Sequence, residues 1–241
     1  MSPAPANASA AAQVLSAGDA ALKLSSAQRL LMLGLHYLAF AHLLGVGLVA
    51  GCPWGPWGWR LVAGAAVLYL APPLAARVLR TIAPIREGHI RIGSREYFVW
   101  WALANLQVVF CRLPMLEEFM RLIPGLYTPW LRLWGARVGR LTYWGAGLRI
   151  LDRSFLDIGD GVIFGAAVRL NPHVLARNDQ QELELILATI VVGDRAVIGG
   201  YSLLTAGTEI APDECTRAFL VSPPFGKWRG GVRISRSDTQ P

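Results

Sequence analysis

The chain has 241 residues, of which 54% are hydrophobic and 16% are charged, and its mean hydropathy is +0.40. This composition excludes a purely soluble domain and predicts membrane segments. The formal net charge of +7 suits a nucleic acid, an anionic membrane surface or a phosphorylated ligand, so the positions of the basic residues have to decide between them.

The cysteines and histidines are scattered along the chain. Cys52, Cys111 and Cys215 lie far apart, and the four histidines have no paired spacing typical of metal ligands. The sequence therefore predicts neither a disulfide framework nor a metal site.

The first half of the chain reads as a tail followed by a membrane anchor. Residues 1–26 are rich in Ala, Ser and Pro and are predicted to be a flexible tail. Residues 27–130 are predicted to form a membrane-anchoring helical region. Within it, residues 30–50 are apolar over a length that crosses about 30 Å of hydrocarbon, and residues 61–76 cross back. Pro72-Pro73 is expected to kink or end the second helix.

The arginines predict how this anchor is oriented. Arg29 precedes the first span, and only Arg60 borders the loop between the spans. Five more follow the second span: Arg77, Arg80, Arg86, Arg91 and Arg95. The positive-inside rule then places both ends of the chain on the cytoplasmic side. Because membrane topology already accounts for these arginines, the basic composition does not indicate nucleic-acid binding.

Two further segments of the anchor are predicted to be helical. Residues 97–111 are uncharged but short for a span, which favours an interfacial or re-entrant helix. Residues 115–123 are amphipathic at helical spacing and end at Pro124-Gly125, which predicts a helix that packs the C-terminal part against the membrane.

The second half of the chain is dominated by a six-residue period. The apolar positions that carry it form two series: Ile158, Phe164 and Leu170, and Val162, Val168 and Val174. This period is neither helical nor the alternation of an ordinary strand, and it is typical of a parallel β-helix. The repeats begin near Leu133, shift by two residues at Leu156, and support a β-helix domain over residues 131–230 with a tail at 231–241.

One interruption of the period follows the only histidine of the repeats. Residues 177–184 are polar and out of register, so they are expected to leave the coil as an external loop directly after His173. A histidine at this position is either a corner residue with satisfied hydrogen bonds or a catalytic base.

Four motifs carry a resemblance to a known family: Ile158-Gly-Asp-Gly161, Phe164-Gly165, Val192-Gly-Asp194 and Ile198-Gly-Gly-Tyr-Ser202. The sequence resembles the hexapeptide-repeat acyltransferases and, with its apolar N-terminal half, looks like a membrane-anchored member. The order of Gly-Asp-Gly, histidine and two further hexads is also similar to the terminal condensation units of some peptide synthetases. The resemblance implies a mixed fold, with N-terminal transmembrane and interfacial α-helices followed by a left-handed parallel β-helix.

The resemblance also implies an activity and an assembly. Family members are homotrimers that transfer an acyl group from a coenzyme A or carrier-protein thioester, and the histidine beside the loop, here His173, acts as general base. The condensation units have a carboxylate shortly after this histidine, and here none follows directly. Three residues are therefore candidates for orienting the imidazole: Asn171, Asp179 and Glu182.

The contacts to the co-substrate are carried over in the same way. Gly199 and Gly200 are the expected N–H donors to the oxyanion, with Tyr201 and Ser202 beside them, although small-residue packing inside the coil also explains Ser202. Lys227 and Arg229 are candidates for binding coenzyme phosphates, or are solvated charges near the C-terminus.

Two functions are consistent with these observations. One is a membrane-anchored acyltransferase that acts on a hydroxyl or amine of a lipid, glycan or secondary metabolite, and its anchor favours an amphiphilic acceptor. The other is a non-catalytic membrane scaffold that uses a trimeric β-helix to assemble partners.

Overall fold

A computed structural model describes residues 24–234 of the chain, so most of the predicted tail at residues 1–26 lies outside the described part. The helices are α1 (Ser26–His36), α2 (Leu38–Gly51), α3 (Trp57–Ile82), α4 (Arg95–Arg112), α5 (Met115–Leu122) and α6 (Tyr127–Leu133). A capping box starts α1, because the Ser25 side chain accepts from the N–H of Gln28 and the Gln28 side chain accepts from the N–H of Ser25.

Two segments are long and apolar enough to cross a membrane. They are Ser26–Gly51, which comprises α1 and α2, and Trp57–Ile82, which is α3. The two predicted spans therefore coincide with helical segments that could cross a membrane.

The prolines do not end α3, which continues to Ile82. A proline at position 73 cannot donate to the carbonyl of Tyr69 one turn earlier, and the indole N–H of Trp130 in α6 binds that carbonyl instead, at 2.7 Å. This hydrogen bond also joins the spanning helix to the segment that leads into the repeats.

Helix α4 is less exposed than an interfacial helix would be. It packs against α1, α2 and α3, and Trp100, Leu103 and Phe110 are buried. A bend of 73° separates it from α5, and together the two helices are long and apolar enough to be a broken span or a re-entrant segment.

The repeats form a coil of short parallel strands in three sheets. Sheet I contains β2 (Arg137–Val138), β5 (Leu156–Ile158), β10 (Ile190–Val192), β13 (Glu209–Ile210) and β15 (Lys227–Arg229). Sheet II contains β3 (Tyr143–Trp144), β6 (Ile163–Phe164) and β11 (Val197–Ile198). Sheet III contains β4 (Arg149–Ile150), β7 (Arg169–Asn171), β12 (Leu203–Thr205) and β14 (Val221–Ser222). Ile158, Phe164 and Leu170, one from each sheet, are buried inside the coil, which confirms the predicted β-helix.

The pairing register locates an insertion in the coil. Val192 pairs with Ile210, one regular turn of three hexads later, whereas Val138 pairs with Ile158, which is two residues further than a regular turn. Arg149 pairs with Arg169, which is also two residues further than a regular turn. The two extra residues therefore lie within residues 151–155, between β4 and β5.

The predicted external loop is an ordered hairpin. Strands β8 (His173–Arg177) and β9 (Leu183–Leu187) pair antiparallel, and β1 (Gly88–Arg91) adds to the other edge of β9. The β1 strand comes shortly after the second span, so this side sheet ties the anchor to the excursion from the coil. The coil resumes at β10, where Ile190 pairs with Leu156.

Helices and coil share one hydrophobic core. It runs from Ala76, Trp100 and Phe110 in the helices to Val138 and Leu170 in the coil. At the far end, β16 (Val232–Ile234) pairs antiparallel with β15, so the first residues of the segment predicted as a tail are a strand. Residues 235–241 lie outside the described part.

Candidate active site

His173 begins the hairpin, at the point where the chain leaves sheet III. Its Nδ1 hydrogen-bonds to Oδ2 of Asp152, which lies in the segment 151–155 that contains the two extra residues. The side chain of Asp152 is 2% exposed and that of His173 is 24% exposed. The site is therefore an imidazole with one nitrogen held by a buried carboxylate and a partly accessible ring.

Trp100 of α4 completes this arrangement from the helical half of the chain. Its indole N–H donates to Oδ1 of Asp152 at 2.9 Å. Its ring packs edge-to-face on the imidazole, with centroids 4.9 Å apart and planes at 67°. Both oxygens of Asp152 are thus engaged, and the imidazole is held in one orientation.

The environment of His173 changes its protonation. Burial lowers the pKa of His173, but the negative charge of Asp152 and the hydrogen bond to it raise the pKa more, so the net pKa lies above the ordinary 6.5. A carboxylate only accepts hydrogen bonds, so in the neutral ring Nδ1 carries the hydrogen and Nε2 has the free lone pair. This is the form that a general base requires.

A cavity of about 200 Å³ is lined by chain neighbours of this pair and by Glu117, but by neither His173 nor Asp152. It is lined by Leu151 and Arg153, the two chain neighbours of Asp152, and by Asn171, two residues before His173. Arg149 and Arg169 also line it, and they occupy neighbouring positions on the outer face of sheet III. Like charges directly opposite each other are unfavourable without an anion between them, so this pair suits an anionic ligand.

A buried ion network holds the insertion in place. Arg153 is 1% exposed and forms an ion pair with Glu117 of α5. Its Nη1 also donates to Oε1 of Gln107 at 3.0 Å. Burial lowers the pKa of Arg153, but the charge of Glu117 outweighs this and raises it. Because Asp152 and Arg153 are adjacent, the helices position the carboxylate that binds His173.

Among the described residues, none of the three predicted orienting groups hydrogen-bonds to the imidazole. Asn171 lines the cavity on the same side, whereas Asp179 and Glu182 are exposed at the tip of the hairpin, away from its base. The hydrogen bond goes to Asp152 instead. The sequence signal that could have identified Asp152 is the two-residue shift in the six-residue period. Residues inserted into a regular coil have no place in the repeat, so their side chains cannot point into the coil as those of the repeat do.

The predicted oxyanion donors lie at another corner of the coil. Gly199 and Gly200 precede β12, whose far end, at Thr205, pairs with Asn171 near His173. The two glycines and the histidine therefore stand at opposite ends of sheet III within one chain. The N–H of Gly199 already donates to Oγ1 of Thr216 at 3.0 Å.

The remaining candidates are also distant from His173. The buried Ser202 donates to the carbonyl oxygen of Gly199 at 2.6 Å inside the coil. Tyr201 is exposed and stacks on Phe219. Lys227 and Arg229 lie in the last coil on β15, where Lys227 forms an ion pair with Glu209 at 2.9 Å. Within residues 24–234, no three His, Cys, Asp or Glu side chains are grouped as metal ligands would be.

Comparisons with known proteins give only remote similarity. No protein-family model and no curated protein matches the chain. Among solved structures, it is similar to a hexapeptide-repeat acetyltransferase from Vibrio cholerae, at 16% identity and a TM-score of 0.36 over 61% of this chain and 94% of that one. A maltose O-acetyltransferase from Clostridium difficile is 17% identical with a TM-score of 0.33, over 54% of this chain and 89% of that one. The serine acetyltransferase of Neisseria gonorrhoeae is 15% identical with a TM-score of 0.26, over 84% of this chain and 80% of that one. At these values the similarity assigns no residue role and no substrate.

Proposed function

We propose that this protein is a membrane-anchored acyltransferase built on a left-handed β-helix. It transfers an acyl group, such as acetyl, from a coenzyme A or carrier-protein thioester to a hydroxyl or amine on a lipid, glycan or secondary metabolite. The observation that carries the proposal is the His173–Asp152 pair, in which Asp152 holds Nδ1 and Nε2 forms no hydrogen bond within residues 24–234. A cavity lined by Arg149 and Arg169 lies close to the pair in the chain, through the neighbours of Asp152.

The proposed reaction uses His173 first as base and then as acid. Nε2 takes the proton of the acceptor hydroxyl or amine while its oxygen or nitrogen attacks the thioester carbonyl carbon. Asp152 stabilises the imidazolium that forms. The tetrahedral intermediate then expels the thiolate by breaking the C–S bond, and the thiolate takes the proton back from Nε2. The products are an ester or amide and a free thiol.

Arg149 and Arg169 are the proposed binding residues for the donor. Their guanidinium groups can hold the phosphates of coenzyme A or of a carrier protein's phosphopantetheine arm by paired hydrogen bonds. They replace Lys227 and Arg229 in this role, because Arg149 and Arg169 line the cavity that Asn171, two residues before His173, also lines, and the other two lie in the last coil.

The proposed assembly is a homotrimer, with the β-helix on the cytoplasmic side. Apolar side chains on the outer faces of the coil, among them Tyr143 and Ile163 in sheet II, are exposed in the single chain, and such faces are typical of subunit contacts. The distribution of arginines around the spans supports the orientation.

The first test is the substitution His173→Ala in the full chain, reconstituted in membranes. Transfer from acetyl coenzyme A, measured as thiol release and as acylated product by mass spectrometry, should fall by about 10²- to 10⁴-fold. His89→Ala is the matched control, since His89 is another histidine paired with a carboxylate, Glu184, but is exposed on β1. An unchanged rate in His173→Ala would refute the proposal and leave the non-catalytic scaffold as the better interpretation.

A further inference from the structure

A second cavity, which we call the basic cleft, lies between the segment after α5 and the first turn of the coil. It has a volume of about 530 Å³, and its lining includes Arg121, Arg132 and Arg140 but no Asp or Glu. It is distinct from the cavity lined by Arg149 and Arg169, and the acyl-transfer proposal does not use it.

Two of these arginines carry charge without a carboxylate partner among the described residues. The guanidinium of Arg140 is exposed and forms no hydrogen bond within residues 24–234. Arg132 donates from Nε to the carbonyl of Val138 at 2.9 Å and uses Nη2 on the same carbonyl and on that of Gly139, which leaves Nη1 available. The cleft therefore has an excess of positive charge.

Two buried polar atoms at the cleft also have no hydrogen-bond partner within residues 24–234. They are Nε of Arg121 and Oγ1 of Thr142. The side chain of Arg121 is only 7% exposed, and its other nitrogens are satisfied by Glu117, Glu118 and Tyr127. A buried donor without an acceptor is costly, so these atoms point to a ligand that brings acceptor oxygens into the cleft.

An apolar groove continues from the basic cleft, and the two share Ile123 and Pro129. The groove has a volume of about 420 Å³ and is formed by α5, α6 and the spanning helix α3, which contributes Tyr69 and Leu70. Tyr69 lies eight residues before Arg77 on α3, which is roughly 12 Å along a helix and within the apolar part of the span. The groove therefore opens at the depth of hydrocarbon chains, and the cleft opens near the charged end of the span.

The rim of this double cavity is apolar and exposed. Phe119, Leu122 and Ile123 face outward at the end of α5, and Leu141 at the first coil is 91% exposed. Such a rim is stable in a bilayer and unfavourable in water. The surroundings therefore favour an occupant from the membrane over a soluble anion.

We propose that the basic cleft and the apolar groove together bind one anionic glycerophospholipid. Its headgroup phosphate accepts hydrogen bonds from Arg140, Arg132 Nη1, Arg121 Nε and Thr142, and one acyl chain lies in the groove against Leu70. The lipid thus joins α3, α5 and α6 to the first coil. This site does not depend on acyl transfer, and His173→Ala is expected to bind the lipid as the wild type does.

The test measures lipid binding by the delipidated full chain in detergent with native mass spectrometry. The probes are dioleoylphosphatidylglycerol, dioleoylphosphatidylcholine and glycerol 3-phosphate. The wild type should retain one phosphatidylglycerol per chain in preference to phosphatidylcholine. Arg140→Gln should weaken retention of phosphatidylglycerol roughly tenfold, which is the loss of a charge-assisted hydrogen bond. Thr142→Val should weaken it less.

Matched controls separate the site from general charge and surface effects. Arg137→Gln removes the same charge three positions away, from a side chain that is 80% exposed and paired with Asp157 outside the cleft. It should bind phosphatidylglycerol as the wild type does. Leu70→Trp should block the groove and release the lipid, whereas Leu61→Trp on the same helix should not.

Three results would overturn the proposal. One is equal retention of phosphatidylglycerol by Arg140→Gln and the wild type, and another is equal retention of the two lipids by the wild type. The third is displacement of the lipid by an equal concentration of glycerol 3-phosphate, because the groove would then contribute nothing and the site would bind a soluble phosphate.

Discussion

At the scale of residues, the His173–Asp152 pair concentrates the chemistry of the molecule in one place. Asp152 accepts from His173 and from Trp100, so a residue of the coil and a residue of α4 hold the same carboxylate. The orientation of the imidazole therefore depends on the helical half of the chain.

The pair leads to a prediction about pH. A base whose pKa is raised above 6.5 is protonated, and inactive, over a wider acidic range, so the acid limb of kcat/KM in the wild type should lie above pH 6.5. Asp152→Asn removes the charge that raises the pKa of His173, so the limb should move to lower pH.

The maximal rate should fall at the same time, by roughly 10²-fold or more, because an amide can hold the wrong tautomer of the ring. The measurement is a pH profile of both proteins with the same acyl donor. A limb at the same pH in the two proteins would show that Asp152 does not control the base.

At the scale of elements, neighbouring positions at one corner of the coil differ in the room they leave for a side chain. A Cβ on Gly199 would collide with backbone atoms of Arg217 and Ala218 in the next coil, whereas one on Gly200 would stand 3.1 Å from the carbonyl oxygen of Ala166. Neither glycine has a positive φ, so the difference between the two positions is purely steric.

Substitution at these neighbouring glycines tests that account. Gly199→Ala should destabilise the fold by about 1–3 kcal/mol, the usual cost of overpacking, because backbone cannot move aside as a side chain can. Gly200→Ala should destabilise the fold less. Thermal unfolding of the two variants in the same detergent measures the difference. Equal stability of the two variants would contradict the proposed packing of the corner.

The hairpin shows why the pairing partner of a strand is harder to predict than an excursion from the coil. Residues 177–184 break the six-residue period and are polar, which correctly indicates an excursion from the coil. The pairing of β9 with β1 depends on a strand from about a hundred positions earlier, and no local pattern around the excursion contains that information.

At the scale of the whole molecule, the helices and the coil are one folding unit. Trp134 and Phe155 lie in the same core as Trp100 and Phe110, and the buried Arg153 of the coil has its partners, Glu117 and Gln107, in the helices. Without the helices, an uncompensated charge and a large apolar surface would face water.

A chain that begins at Leu131 should therefore not form a stable β-helix and should show no acyl transfer. Near-UV circular dichroism and gel filtration in detergent measure the first expectation, and thiol release measures the second. Glu117→Gln in the full chain tests the buried ion pair alone. It should lower the free energy of unfolding by roughly 3–5 kcal/mol, since it leaves Arg153 without its carboxylate partner. A folded, active fragment would show that the coil is autonomous.

The architecture follows from local patterns in the sequence. The six-residue period predicts the β-helix because every coil buries the same positions, and the apolar segments predict the spans because crossing hydrocarbon requires only length and hydrophobicity. The candidate site, in contrast, depends on tertiary packing. Asp152 and Trp100 reach the imidazole and its carboxylate from 21 and 52 positions away, and the basic cleft combines α5, α6 and the first coil. Such contacts depend on how helices and coil pack together, and a periodic pattern carries no information about that packing.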